Sequence, residues 1–145
     1  MRFQNGFTTL VALMACLSAC AASPPVPTTG APSRPSVTTG FGVRVRTANV
    51  TITPLSLVED SRCPTNVQCI QAGTVRILVK LVRRSEANEV TVGLEAPYRL
   101  GDDWLHLVAA CPYPRHPVTP APRAYRFTFL IDQRPSAPDY RGSCA

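Results

Sequence analysis

The chain has 145 residues, 45% hydrophobic and 17% charged, which is enough apolar material for one modest core and too little charge for an extended polyelectrolyte. Lysine and arginine number 15 against 9 aspartates and glutamates, a net charge of +6, and there are 6 cysteines and 15 prolines. The basic balance admits anionic surfaces or nucleic acid as partners, while no long stretch carries helical periodicity with caps.

Residues 1–19 read as an export signal. Arg2 and the terminal amine form a short positive region, and "GFTTLVALMACLSA" gives an apolar run too short and too poorly flanked for a stable membrane span. It closes on "LSAC" at residues 17–20: Leu17 is branched, Ser18 and Ala19 are small, and Cys20 ends the pattern. This resembles a bacterial lipobox, which implies cleavage before Cys20 and a diacylglycerol on its sulfur. Two or three acyl chains would hold the protein at a bilayer far more firmly than one. An overlapping "LMAC" ends on Cys16, but Met14 is bulky for the pattern and Cys16 lies inside the apolar run, so Cys20 is the expected anchor. The alternative is an ordinary secretory signal. Ala21 follows in place of aspartate, which implies the periplasmic side of the outer membrane if the cell is Gram-negative.

Loss of residues 1–19 removes one basic residue, Arg2, and leaves a net charge of +5. An exported protein seldom meets nucleic acid, so none is expected as a partner. A periplasmic protein, anionic headgroups or an anionic envelope polymer are the expected counter-surfaces, unless the arginines only solvate strand faces.

Residues 20–39 follow as the lipidated cysteine and a linker, "AASPPVPTTGAPSRPSVTT", dominated by proline, serine, threonine and alanine. Such a stretch buries too little surface to offset its ordering entropy. Its prolines stiffen it toward polyproline II, giving a spacer of about 50 Å at about 3 Å per residue.

Residues 40–145 form one domain-sized segment. In "FGVRVRT" Phe41, Val43 and Val45 share a face opposite Arg44 and Arg46. In "GTVRILVKLVRR" Val75, Ile77, Val79 and Leu81 oppose Arg76, Leu78, Lys80 and Val82. In "AYRFTFLID" Tyr125, Phe127, Phe129 and Ile131 oppose Arg126, Thr128, Leu130 and Asp132. Weaker strand candidates are "NVTITPLSLV", "EVTVGL" and "DWLHLVAA". Alternation of this kind predicts strands with one buried face. The expected fold is all-β, a small antiparallel sandwich of immunoglobulin-like or similar kind, with a small barrel as the alternative.

Four cysteines remain in the domain, and in an exported chain an even count favours disulfides. Cys63 and Cys69 flank "PTNVQ", in which Pro64, Thr65 and Asn66 suit successive turn positions, so local geometry prefers Cys63–Cys69 among the three connectivities. That leaves Cys111 for Cys144, which would pin the C-terminus to the body. Structural zinc wants closer cysteine spacing or nearby histidines. His106 and His116 could approach in three dimensions, and His106 with Cys111 would interest copper, which makes metal handling a minor alternative; no metal or cofactor is expected.

Asp60 and Ser61 precede the first cystine and can accept backbone N–H bonds there. Arg62 is expected to pair with Glu59 or Asp60 or to point outward, where a constrained loop would suit a protease-inhibitory or binding epitope. "CPYPRHP" joins aromatic, cationic and rigid residues, which makes Tyr113 and Arg115 candidate contact residues; the alternative is a stiff connection with Tyr113 covering the core edge.

The stretch "EDSRCPTNVQCIQAG" resembles a signature in small bacterial lipoproteins and secreted proteins: "DSRCP", a second cysteine separated from the first by five residues, and a closing "AG". The likeness extends to "LHLVAACPYP" and "YRFTFLI". It implies the short disulfide and an all-β domain, and brings no catalytic residue. Gln71 departs from the tryptophan that such proteins commonly carry. Asp102 and Asp103 are adjacent, a poor arrangement for shared acid–base work, and no nucleophile, zinc or phosphate-loop motif occurs. The expected role is non-enzymatic binding, with a structural or assembly-accessory lipoprotein as the alternative.

Overall fold

A computed structural model describes residues 36–47, 49–136 and 144. The signal segment, the lipobox with Cys20, and the linker through residue 35 lie outside the described residues.

Among the described residues the chain forms eight strands: β1 Ser36–Thr39, β2 Val45–Thr47, β3 Val50–Asp60, β4 Val75–Arg83, β5 Glu86–Gly93, β6 Tyr98–Leu100, β7 Asp103–Cys111 and β8 Arg126–Asp132. They form two antiparallel four-stranded sheets, ordered β1-β8-β7-β6 and β2-β3-β4-β5, which remain open rather than closing into a barrel. The all-β sandwich expected from the alternating pattern is what the chain forms.

Alternation places the core. Val75, Ile77, Val79 and Leu81 of β4 all point inward with Val50 and Ile52 of β3, and face Leu105 and Leu107 of β7 and Phe127 and Phe129 of β8. Tyr125, just ahead of β8, stacks on Phe127 at 5.6 Å between centroids, and Phe41 meets Phe127 edge-on at 4.8 Å. Offset and edge-to-face contacts of this kind add to what area burial alone contributes.

Several expectations need correction. The domain begins before Gly40: Ser36–Thr39 pairs with β8 from Ser36↔Leu130 to Thr39↔Phe127. Val37, Thr38 and Thr39 are β-branched and free of proline, and Thr38 Oγ1 lies 2.9 Å from Thr128 Oγ1 across the pair. The run "FGVRVRT" is only partly a strand. Gly42 adopts φ 71°, where the chain leaves one sheet for the other, and Val43 is 57% exposed at that corner. On β8 both faces are covered, because Thr128, Leu130 and Asp132 are buried as well as the aromatics. β8 is a central strand, and the chain beyond it folds back far enough for the Arg134 carbonyl to reach His106 Nε2 at 3.0 Å. The β4–β5 hairpin turns through Arg84 and Ser85 at φ 47° and 73°, the left-handed pair a two-residue hairpin turn requires, without the glycine or asparagine that would have signalled it.

Strand directions give the sandwich two distinct ends. The end of β3, the start of β4, the end of β7 and the start of β8 share one, which carries both cystines; β1 enters with Ser36 at the other.

Replacing Phe127 with alanine is expected to lower unfolding free energy by about 3–5 kcal/mol, whereas Val43→Thr at the exposed corner should stay within about 0.5 kcal/mol. Chemical denaturation measures both.

Candidate functional site

The cystine end is built on the motif Asp60-Ser61-Arg62-Cys63. Residues two apart in extended chain share a face, so the Arg62 guanidinium folds back onto the Asp60 carboxylate. Nε donates to Oδ1 at 2.8 Å and Nη2 to Oδ2 at 2.7 Å. The same guanidinium crosses to the opposite sheet, where Nη1 donates to the Ala110 carbonyl and Nη2 to the Pro112 carbonyl at 3.1 Å. Tyr125 O–H donates to Asp60 Oδ2 at 2.7 Å. The Tyr113 ring covers the cation, 5.4 Å from centroid to guanidinium carbon.

Arg62 is therefore 7% exposed. Its expected place among outward contact residues is corrected: it is an internal cross-link, whose desolvation cost is offset by the Asp60 carboxylate and by carbonyl acceptors on the far sheet. Of the alternatives left open by the sequence, Glu59, Asp60 or an outward position, the structure takes Asp60.

Burial pushes the Asp60 carboxyl up, but the hydrogen bonds from Arg62 and Tyr125 and the Arg62 charge outweigh it, leaving the group below its ordinary 3.8. Burial likewise opposes the Arg62 charge, and Asp60 more than compensates, so its pKa is raised. Tyr125 is pushed up to about 12, first by burial and then by its bond to Asp60.

The cystine loop is closed at its neck and docked at its tip. Ser61 N–H donates to Thr74 C=O at 2.8 Å, and Thr74 N–H donates to Ser61 Oγ at 3.1 Å. Gly73 is required here, since a Cβ would sit 1.6 Å from the Ser61 carbonyl oxygen. Cys63 is joined to Cys69, the cross-link expected from the spacing, and Cys111 to Cys144, the pair that this left over. At the tip, Asn66 Nδ2 donates to His116 C=O and His116 N–H donates to Asn66 Oδ1, both at 2.8 Å, and Thr65 N–H donates to Pro114 C=O at 3.0 Å. Asn66 thus imitates a strand neighbour for the loop at 112–120, a role that its turn-forming character did not reveal.

These two loops present Val67, Ile70, Tyr113 and Val118 as exposed apolar side chains. Tyr113 and Arg115 are both exposed, the first with one face on Arg62. Beneath the loops a groove of about 300 Å³ runs between Leu57, Pro64, Pro120 and Tyr125, with the Asp60–Arg62 pair at its wall.

The two histidines lie apart in role. His106 is buried at 1% exposure with Nε2 against the Arg134 carbonyl, and Cys111 is spent on a disulfide, so the His106–Cys111 donor pair does not form. His116 is exposed with its backbone tied to Asn66. Among the described residues no three histidine, cysteine or acidic side chains gather where a metal ion could sit. Asp102 lies in the turn before β7, and Asp103 opens that strand.

No family model, curated protein or solved structure matches the chain. Among the described residues no helix is long and apolar enough to cross a membrane.

Linkage gives the pH dependence its sign. Asp60 titrates lower when folded, so its contribution is complete above about pH 4 and is lost as pH falls through the folded value. Tyr125 titrates higher when folded, so its contribution is complete below pH 10 and is lost as pH rises toward about 12. Asp60→Asn is expected to flatten the acid limb of stability against pH, and Tyr125→Phe the alkaline limb, in denaturant titrations compared with wild type.

Proposed function

We propose that this chain is a lipid-anchored envelope protein whose β-sandwich serves as a non-enzymatic binding module on the periplasmic side of the membrane. The observation that carries the reading is the set of apolar side chains, Val67, Ile70, Tyr113 and Val118, held exposed on two loops fixed by a disulfide and by reciprocal hydrogen bonds. Exposed apolar groups on restrained loops lose little entropy on docking, and grouped apolar exposure is a feature of interaction sites.

The anchor rests on "LSAC" at residues 17–20, and the spacer on the proline-rich run behind it. Ser36 enters at the end of the sandwich opposite the cystines. The likeness to small lipoproteins with the "DSRCP" motif agrees with this role: in that motif the aspartate and arginine support the loops rather than perform chemistry. With Arg62 internal, a protease-inhibitory epitope on that residue loses its side chain.

The reading is tested in the native host. Cys20→Ser is expected to abolish palmitate labelling and release the protein from the membrane fraction. Affinity capture from envelope extracts is expected to lose its partners when Ile70→Ser and Tyr113→Ala are combined, with unfolding free energy changed by less than about 1 kcal/mol. An unchanged set of captured partners would remove these loops as contacts, and an unlabelled Cys20 would remove the anchor.

A further inference from the structure

We propose that the depression between the end of β1 and the start of β8 binds a phosphate monoester carried on an apolar body. The inference does not depend on the apolar loops described above and concerns a different part of the domain.

The depression encloses about 400 Å³ and is lined by Thr38 and Thr39 of β1, Phe41 and Val43 of the corner that follows, and Arg123 and Arg126 beside β8. No lining residue is acidic. Arg126 Nη1 donates to the Arg123 carbonyl at 3.0 Å and to the Tyr125 carbonyl at 2.8 Å, so its cationic head is seated in advance of any ligand. Gly40 makes that seat possible, since a Cβ there would stand 3.0 Å from Arg126 Nη1 and 3.2 Å from the Tyr125 carbonyl oxygen. The head rests on the backbone of Arg123, which holds two like charges in one lining. Neither forms an ion pair among the described residues. The threonine hydroxyls are engaged elsewhere, Thr38 with Thr128 and Thr39 on the Val43 carbonyl. The arginines are therefore the donors that a ligand meets.

The chain around the depression carries one sign of charge. Residues 36–47 and 112–131, which contribute every lining residue, contain Arg44, Arg46, Arg115, Arg123 and Arg126 and no aspartate or glutamate. Glu59 and Asp60 at the end of β3 lie outside the lining and are engaged: Glu59 accepts from Ser61 Oγ at 2.9 Å, and Asp60 pairs with Arg62. A field of one sign draws anions. One guanidinium fork already satisfies both oxygens of a carboxylate, whereas two forks match a tetrahedral oxyanion with three terminal oxygens. The near-double charge of a phosphate monoester matches the two cations. The volume and the apolar Phe41 and Val43 call for an organic body on that phosphate rather than the bare ion. A lipid headgroup and a soluble phosphate ester share this chemistry.

The test uses the full chain in micelles of a neutral detergent at low salt, where surface attraction is least screened. Phenyl phosphate is titrated against benzoate, which keeps the ring on a carboxylate, and against inorganic phosphate, which lacks the ring. Phenyl phosphate is expected to bind at least about tenfold tighter than either. Arg123→Gln and Arg126→Gln should each weaken it about tenfold. Arg123 has no side-chain partner among the described residues, so its replacement should leave unfolding free energy unchanged. Ile70→Ser with Tyr113→Ala should leave the affinity unchanged, which separates this site from the loops. Phosphatidic acid dissolved in the micelles supplies the lipid arm: tighter binding than phenyl phosphate assigns the ester to a lipid and weaker binding to a soluble compound, and the site stands in both cases. Absence of phenyl phosphate binding at millimolar ligand overturns the proposal. So does equal binding of benzoate or inorganic phosphate, or binding that survives both arginine substitutions together.

Discussion

A buried carboxylate–guanidinium pair, Asp60 with Arg62, joins the two sheets at the end where the long strands give way to loops. Removing two charges from water is costly, and the cost is offset only when every remaining donor and lone pair finds a partner. Here Asp60 accepts from both Arg62 and Tyr125, and the guanidinium continues to the Ala110 and Pro112 carbonyls. One side chain thus fixes how the end of β3 stands against the end of β7 and the start of β8. The cystine loop and the loop at 112–120 leave from the flanks of this link, and their mutual docking through Asn66 follows from it. An apolar pair of the same size would fill the space, but it would not set the direction of the two loops.

Much of the architecture was legible, for a physical reason. Period-two alternation in residues 75–82 and 125–131 reports which face meets the core, and the buried aromatic and aliphatic side chains follow it. The Cys63–Cys69 disulfide was legible from count, compartment and loop geometry, whereas Cys111–Cys144 followed only as the remainder. What escaped was set by tertiary context. Whether Thr128 and Leu130 face water depends on what the chain does after β8, which no local pattern records. Val43 continues an alternating run, yet Gly42 turns the chain beneath it. The start of the domain was placed late because three β-branched residues were read with the prolines that precede them.

The candidate site was half legible. Asp60 was one of two acidic partners that the sequence offered Arg62, and neither the choice over Glu59 nor the inward direction of the pair was legible. Arg62 looks like a surface epitope until Ala110, Pro112 and Tyr125, each some fifty residues or more away, supply acceptors and a donor. Gly73 is the inverse case: a residue without a side chain, whose role is to let Ser61 approach. Together these residues make the "DSRCP…AG" run a scaffold for loop presentation. Val67, Ile70, Tyr113 and Val118 stand exposed on the two loops that this scaffold ties together.

A double-mutant cycle on Asp60→Leu and Arg62→Met, read as unfolding free energy at neutral pH, tests the cross-link most directly. Each single change strands a buried charge and is predicted to cost about 3–5 kcal/mol, while the double variant, with neither charge left, should recover at least about 2 kcal/mol of the summed loss. Additive losses, or single variants within about 0.5 kcal/mol of wild type, would contradict a buried ion pair that holds the sheets together at this end.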